Sequence, residues 1–180
     1  MQLNIKYALA IFLLCGFNIN LISSEINPQY SATITRDIFG VPHVHGATDA
    51  DAAFGLAYAQ ADDDITNILT TIDLARAGSG LKNGRDGAVT DYLIKALGIR
   101  ELVEERYEED LSQEVQAVLK GFVAGLNYWM SLNLDRNIKN YYPVNEIDLV
   151  SSFAIQGLFF SGIDGAIKDL MDTPKEVSAA

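Results

Sequence analysis

One cysteine and two histidines are the whole stock of thiol and imidazole in this 180-residue sequence. Cys15 lies in an apolar run near the start, so the rest of the chain forms no disulfide and offers no thiolate nucleophile. Zinc takes three or four protein ligands, and His43 and His45 have no third partner, so no metal site is expected. Basic residues are scarce as well. Thirteen Lys and Arg face 24 Asp and Glu, a net charge of −11. A surface of that sign disfavours nucleic acid and anionic membranes as partners. The chain contains no Gly-x-Ser-x-Gly elbow, no phosphate loop and no dinucleotide fingerprint, so no cofactor is expected. It does not lack hydrophobic residues. At 49% they exclude disorder by composition.

Residues 1–24 contain no acidic residue and one basic residue, Lys6. An apolar run over 7–17 follows, and Ser23 and Ser24 are small enough for a cleavage site. This pattern predicts a secretory signal over 1–24, and with it a periplasmic or secreted protein. A retained anchor is the alternative, but the run is short and Asn18 and Asn20 interrupt it, so no stable membrane association is expected. Leu14 before Cys15 is a poor match to a lipoprotein processing site.

The chain is organised around Arg36–Asp64. Thr33 to Thr35 and Val41 to His45 read as two strands joined by a turn over Asp37–Gly40. Pro42 has no N–H and suits a strand start. Thr48 with Asp51 predicts a capping box. Phe54, Tyr58, Ala61, Ile65, Ile68 and Ile72 then mark one apolar face of a long helix. His43 and His45 share one side of their strand and read as a structural pair. Asp62, Asp63 and Asp64 read as helix surface charge, since consecutive helical residues diverge.

Asp73 to Val89 carries Gly78-Ser79-Gly80, Asn83-Gly84 and Asp86-Gly87, which predicts a loop. Asp91 is expected to cap a short helix over 92–97, closed by Gly98. Arg100 to Asp110 reads as a solvated helix face and not as an acid–base carboxylate pair. Ser112 should cap a helix whose apolar face is Val115, Val118, Leu119, Phe122, Leu126 and Trp129, with Gly121 and Gly125 letting a neighbouring backbone come close. Asn133 to Val144 is a polar connection, and Asn145 with Asp148 caps the next helix. From Leu149 to Ile163 there is no charge, so that helix is expected to be buried on most sides. Asp164 and Lys168 open a short amphipathic helix.

R-D-x-x-G-V-P-H-V from Arg36, with D-A-x-x-G-x-A-Y-x-Q-A-D-D from Asp51, resembles the start of the penicillin acylase family, in its acyl-homoserine-lactone and lipopeptide acylase branch. The resemblance continues through L-A-R-A-G from Leu74, K-N-G-R-D-G-A-V-T-D-Y from Lys82 and L-K-G-F-V-A-G-L-N-Y from Leu119. It implies an N-terminal-nucleophile amidohydrolase, cut from a precursor into a small and a large chain. This sequence would then be the small chain, α+β and mostly helical, with its hairpin joining the sheet of the large chain. The implied division is a signal over 1–24, a small-chain region over 25–172 and the start of a linker over 173–180.

The implied reaction is hydrolysis of an acyl-amide, with a new N-terminal serine as nucleophile and its own α-amine as base. In the family that serine follows Gly and precedes Asn, and no Gly-Ser-Asn occurs here. Ser178, between Val177 and Ala179, is a poor substitute. No catalytic residue is therefore expected in this chain, and the partners would be the large chain and an acyl-amide small molecule. The match places Gly157, Phe159, Phe160 and Ser161 at or near positions that face the acyl group. One member type binds calcium just after this helix. The ungapped match falls near Ile167, which has no oxygen ligand to give, and Asp164 or Asp169 reach it only with a shift, so no calcium is claimed. The alternative reading is an exported helical binding protein without catalysis, or a degenerate relic, using 149–163 as its surface.

Overall fold

The computed structural model of the chain describes residues 29–135, 137–162 and 165. The expected signal over 1–24, the short helix after Asp164, and the linker over 173–180 lie outside the described residues. What is described is mostly helical, with one small sheet, as expected of an α+β chain.

Strands β1 (Ala32–Arg36) and β2 (Pro42–Gly46) pair antiparallel, with Thr33 opposite His45, Ile34 opposite Val44 and Thr35 opposite His43. Period-two alternation then sorts the hairpin. Ala32, Ile34 and Val44 turn toward the first helix, while His43 and His45 share the exposed face.

Helix α1 (Asp49–Ala75) begins with both halves of the expected capping box. Thr48 Oγ1 accepts the Asp51 N–H, and the Asp51 carboxylate accepts the Thr48 N–H. The helix is not continuous. Asp64 leaves helical geometry (φ −155°, ψ 73°), and its carboxylate accepts the Asn67 N–H at 3.1 Å, capping the second half. The buried positions also differ from the expected face. Before the kink they are Ala53, Gly55, Ala57, Ala59 and Ala61, while Phe54 and Tyr58 are only partly buried. This half is covered on two sides, by the hairpin and by α4 (Gln113–Leu132), and only small residues fit there. A Cβ on Gly55 would come within 2.6 Å of both Ala32 Cβ and Val44 Cγ1.

The predicted loop over 73–89 is a correction. Helix α2 spans Gly80–Leu97 and absorbs most of it. Gly84 (φ +59°, ψ −131°) breaks the helix internally instead of ending it. Asp91 caps no new helix. Its carboxylate accepts the N–H groups of Ser79 (2.9 Å) and Gly80 (2.7 Å), holding the start of α2 from about two turns beyond the break at Gly84. Gly87 has no side chain to obstruct the Ser79 carbonyl that lies against it.

Helix α3 (Ile99–Asp110) follows a left-handed Gly98. It buries Ile99, Val103 and Tyr107 and leaves its acidic residues in solvent, as its charge pattern predicts. Ser112 caps α4, which packs on α1 through Gly121 and Gly125. Of the apolar face predicted for α4, Leu126 and Trp129 are buried, Val118, Leu119 and Phe122 are partly covered, and Val115 is exposed. The connection over 133–144 holds a single turn, Ile138–Asn140, whose Ile138 enters the core with Tyr141 and Val144. Asn127 fixes this connection by donating to the Val144 carbonyl and accepting its N–H, both at 2.8 Å.

Helix α5 (Glu146–Phe160) starts where its capping box predicts, with Asn145 and Asp148 in the two roles. Its burial does not follow the expectation. Asp148, Ser151, Ser152 and Ile155 face inward, whereas Phe153 is 72% and Phe160 89% exposed. The uncharged stretch therefore buries a small, partly polar side and leaves its large apolar side bare. Two apolar clusters result. The larger joins Ile72, Leu126, Trp129, Met130 and Tyr141, and the smaller joins Ile94, Ile99, Val103 and Ile155. Among the described residues, no helix is long and apolar enough to cross a membrane.

Candidate functional site

The bare side of α5 is set in place by a buried carboxylate. Asp148 is fully buried and sits two residues into the helix. It receives Nε (3.0 Å) and Nη2 (2.6 Å) of Arg76, Nη1 of Arg100 (2.7 Å) and the Asn145 N–H (3.0 Å). Arg76 is the residue that ends α1, and it also donates to the carbonyls of Tyr141 and Pro143. One carboxylate thus ties α1, α3, the connection over 141–145 and the start of α5. Burial pushes the Asp148 carboxyl up, but Arg76, the Asn145 backbone and Arg100 together hold it below the usual carboxylate range. A second polar knot holds α2. Asp73 accepts Lys82 Nζ at 2.6 Å and the Tyr141 hydroxyl at 2.8 Å.

With α5 fixed, a groove of about 410 Å³ opens between α1, α4 and α5. Leu56, Ile68, Phe122, Leu149 and Phe153 give it apolar walls, and Gln60 and Gln156 stand among them. The four residues expected to face the acyl group lie past one end of this groove. Gly157 is exposed, and a side chain there would meet nothing within 4 Å. Phe159 is 40% exposed and Phe160 points almost wholly into solvent. Ser161 ends the helix, its hydroxyl committed to the Leu158 carbonyl at 2.6 Å. The four residues share one exposed helix end, and within this chain they enclose no cavity. Phe153 and Gln156, one turn earlier, connect them to the groove. Sequence periodicity marked Phe153 as apolar, but it carried no sign that three helices would meet beside it.

The two histidines assemble no catalytic pair. His43 Nε2 lies 3.4 Å from an Asp37 carboxylate oxygen on the exposed face of the hairpin. The acidic cluster lies at the surface, as its reading as surface charge expects, but its three residues have separate tasks. Asp62 and Asp63 both pair with Arg36, at 3.1 and 2.7 Å, Asp62 also accepts from Trp129 Nε1, and Asp64 caps the second half of α1. Among the described residues, no group of three His, Cys, Asp or Glu side chains gathers to hold a metal ion. Arg76 and Arg100 were not singled out in the sequence. Asp148 was visible as a cap, but its two cationic partners stand 72 and 48 residues away, beyond the reach of local patterning.

Comparison with known proteins agrees with the motifs. The family model for penicillin amidase matches residues 31–173. The chain is 28% identical over 98 residues to penicillin acylase 2 proenzyme of Pseudomonas sp. (strain SE83), covering 54% of this chain and 12% of that protein. It is 27% identical over 117 residues to aculeacin-A acylase of Actinoplanes utahensis, covering 59% of this chain and 15% of the relative. It therefore spans only a small part of the length of these relatives. Among solved structures, a thermostable penicillin G acylase from Alcaligenes faecalis superposes with a TM-score of 0.58 at 16% identity, covering 83% of this chain and 95% of that chain. That likeness shows the fold.

Proposed function

The chain belongs to the penicillin amidase family, and we propose that it acts as the small chain of an exported acylase that hydrolyses the amide between an acyl group and an amine. The observation that carries this reading is the apolar side of α5, left bare by a helix whose other side is firmly fixed. Large exposed apolar patches mark contact surfaces. Here Phe153, Phe159 and Phe160 would be covered partly by a large chain and partly by substrate. The nucleophile, its amine base and the oxyanion donors would belong to the large chain, because this sequence contains no Gly-Ser-Asn junction and Ser178, between Val177 and Ala179, is a poor match to one. Residues 1–24 would direct export. The hairpin would extend the sheet of the large chain.

In this reading Gly157, Phe159, Phe160 and Ser161 form one wall of the acyl pocket. Apolar rings beside a glycine gap suit an aliphatic or aromatic acyl group. The reacting atoms lie on the other chain, so Phe160→Ala should alter which acyl group is preferred more than the rate on the best one. One methylene is worth roughly 1–3 kcal/mol in such discrimination. The test is kcat/KM for acyl p-nitroanilides of increasing length, measured with the two-chain enzyme carrying Phe160 or Ala at that position. A shift toward longer acyl groups supports the proposal. An unchanged length profile removes Phe160 from the pocket. Turnover by the 180-residue chain alone, abolished by Ser178→Ala, would overturn the assignment of the nucleophile to another chain.

A further inference from the structure

The tip of the hairpin carries a second apolar feature. Ile38 is 93% exposed, Phe39 84% and Val41 52%. Single exposed apolar residues are ordinary, but a flexible turn would be expected to carry them loosely. This turn is locked. The Asp37 carboxylate accepts the N–H groups of Phe39 (2.9 Å) and Val41 (3.0 Å). The Gly40 N–H donates to the Asp37 carbonyl at 3.0 Å, and Gly40 takes the left-handed conformation (φ +82°) that closes the turn. Arg36 Nη1 donates to the Gly40 carbonyl at 2.8 Å, while Nη2 reaches Asp62 and Asp63 on α1. Asp62 in turn receives Trp129 of α4. The tip is thereby braced to two helices and presents two adjacent apolar side chains at a fixed place.

We propose that Ile38 and Phe39 form a preset apolar plug that seats in an apolar socket on the nucleophile-bearing chain and anchors the two chains to each other. This rests on the two-chain reading above. Preorganisation lowers the ordering cost of association, which gives a purpose to bracing an otherwise solvent-exposed turn. The choice of occupant follows from length and charge. The matched portion is 12–15% of the two relatives, so most of such an enzyme lies outside it, and the chain covers 95% of its structural neighbour, which is therefore a chain of similar extent. A second copy would bring another net charge of −11 toward a tip already flanked by Asp37, Asp62 and Asp63, and an anionic lipid surface would be repelled likewise.

The test uses this chain and the nucleophile-bearing chain of its own enzyme. Their association is measured by titration for the unaltered chain, for Ile38→Ser/Phe39→Ser, and for Leu81→Ser as a control, Leu81 being 95% exposed on α2. The tip variant should bind at least about thirtyfold more weakly, as loss of a central apolar anchor does. The control should change less than threefold. A photoreactive phenylalanine analogue at position 39 of the otherwise unaltered chain should cross-link to the large chain, a readout that needs no destabilising change. Unchanged affinity of the tip variant, an equal loss from Leu81→Ser, or cross-linking only to a second copy would each overturn the plug while leaving the two-chain reading intact. No association by the unaltered chain would overturn both.

Discussion

Replacing Asp148 by Asn removes one charge and almost no volume at the point where four segments meet. The amide oxygen can still accept the Asn145 N–H, so the cap survives in part. What disappears is the negative charge and the oxygen that accepts Arg76 Nε and Arg100 Nη1, while the oxygen that takes the Asn145 N–H also keeps Arg76 Nη2 as a donor, now to a neutral amide. Removing one partner of a buried ion pair costs about 3–5 kcal/mol, because the other charge is left without compensation. Arg76 and Arg100 here keep 30% and 29% of their side chains in solvent, and Arg100 retains Glu104 at 3.2 Å. That screening places the loss near the lower bound, about 3 kcal/mol. For a chain of this size it amounts to a fall in Tm of roughly 6–12 °C, read from the helical circular dichroism signal.

The pH dependence gives a second check with a defined sign. The carboxyl is depressed in the folded state, so its stabilisation is full above the unfolded value of about 4 and is lost as pH falls through the folded value. The gap between wild type and variant should therefore be widest near neutrality and close progressively in acid. A gap below about 3 °C at pH 7, or one that persists unchanged at pH 3, would refute the claim that this carboxylate is what holds the segments together.

Gly125→Ala should destabilise, although Ala is the better helix former by about 1 kcal/mol, because the new Cβ would run into the Phe54 carbonyl. A rise in Tm would show that the two helices separate freely. Thr48→Ala should cost about 1 kcal/mol through loss of the side-chain cap on α1, with equilibrium urea unfolding as the measurement; a change below a few tenths would mean that Asp51 caps unaided. The isolated chain should bind a dye specific for exposed apolar surface, and Phe153→Ser/Phe160→Ser should reduce that binding at unchanged helicity. Dye binding that survives this double change would locate the apolar surface elsewhere.

What the sequence revealed and what it hid divide by range. The hairpin with its Gly40 turn and the caps at Thr48, Ser112 and Asn145 are decided within three or four residues, and each lies where its pattern predicted. The region over 73–89 failed because a glycine has more than one use. Gly84 bends a helix and Gly87 admits a carbonyl, and in sequence both look like turn residues. The kink at Asp64 hid inside an unbroken apolar periodicity. The meeting of Asp148 with Arg76 and Arg100 is purely tertiary. For α5, the absence of charge was read as burial on most sides, and the structure buries only one. The remaining side has no covering element among the described residues.

The contact between α1 and α4 carries a consequence for how the two helices are free to drift in sequence. A Cβ at Gly121 or Gly125 would run into the carbonyl and Cα atoms of Ala50 and Phe54. At these two points α4 follows the path of the α1 backbone and admits a single amino acid at each. The ring of Phe54 joins the same pair of helices in a second way, lying against Tyr128 of α4 as well as Tyr30. Drift at 121 and 125 is therefore limited by backbone, whereas drift at 54 is limited by the aromatic partners it would leave behind.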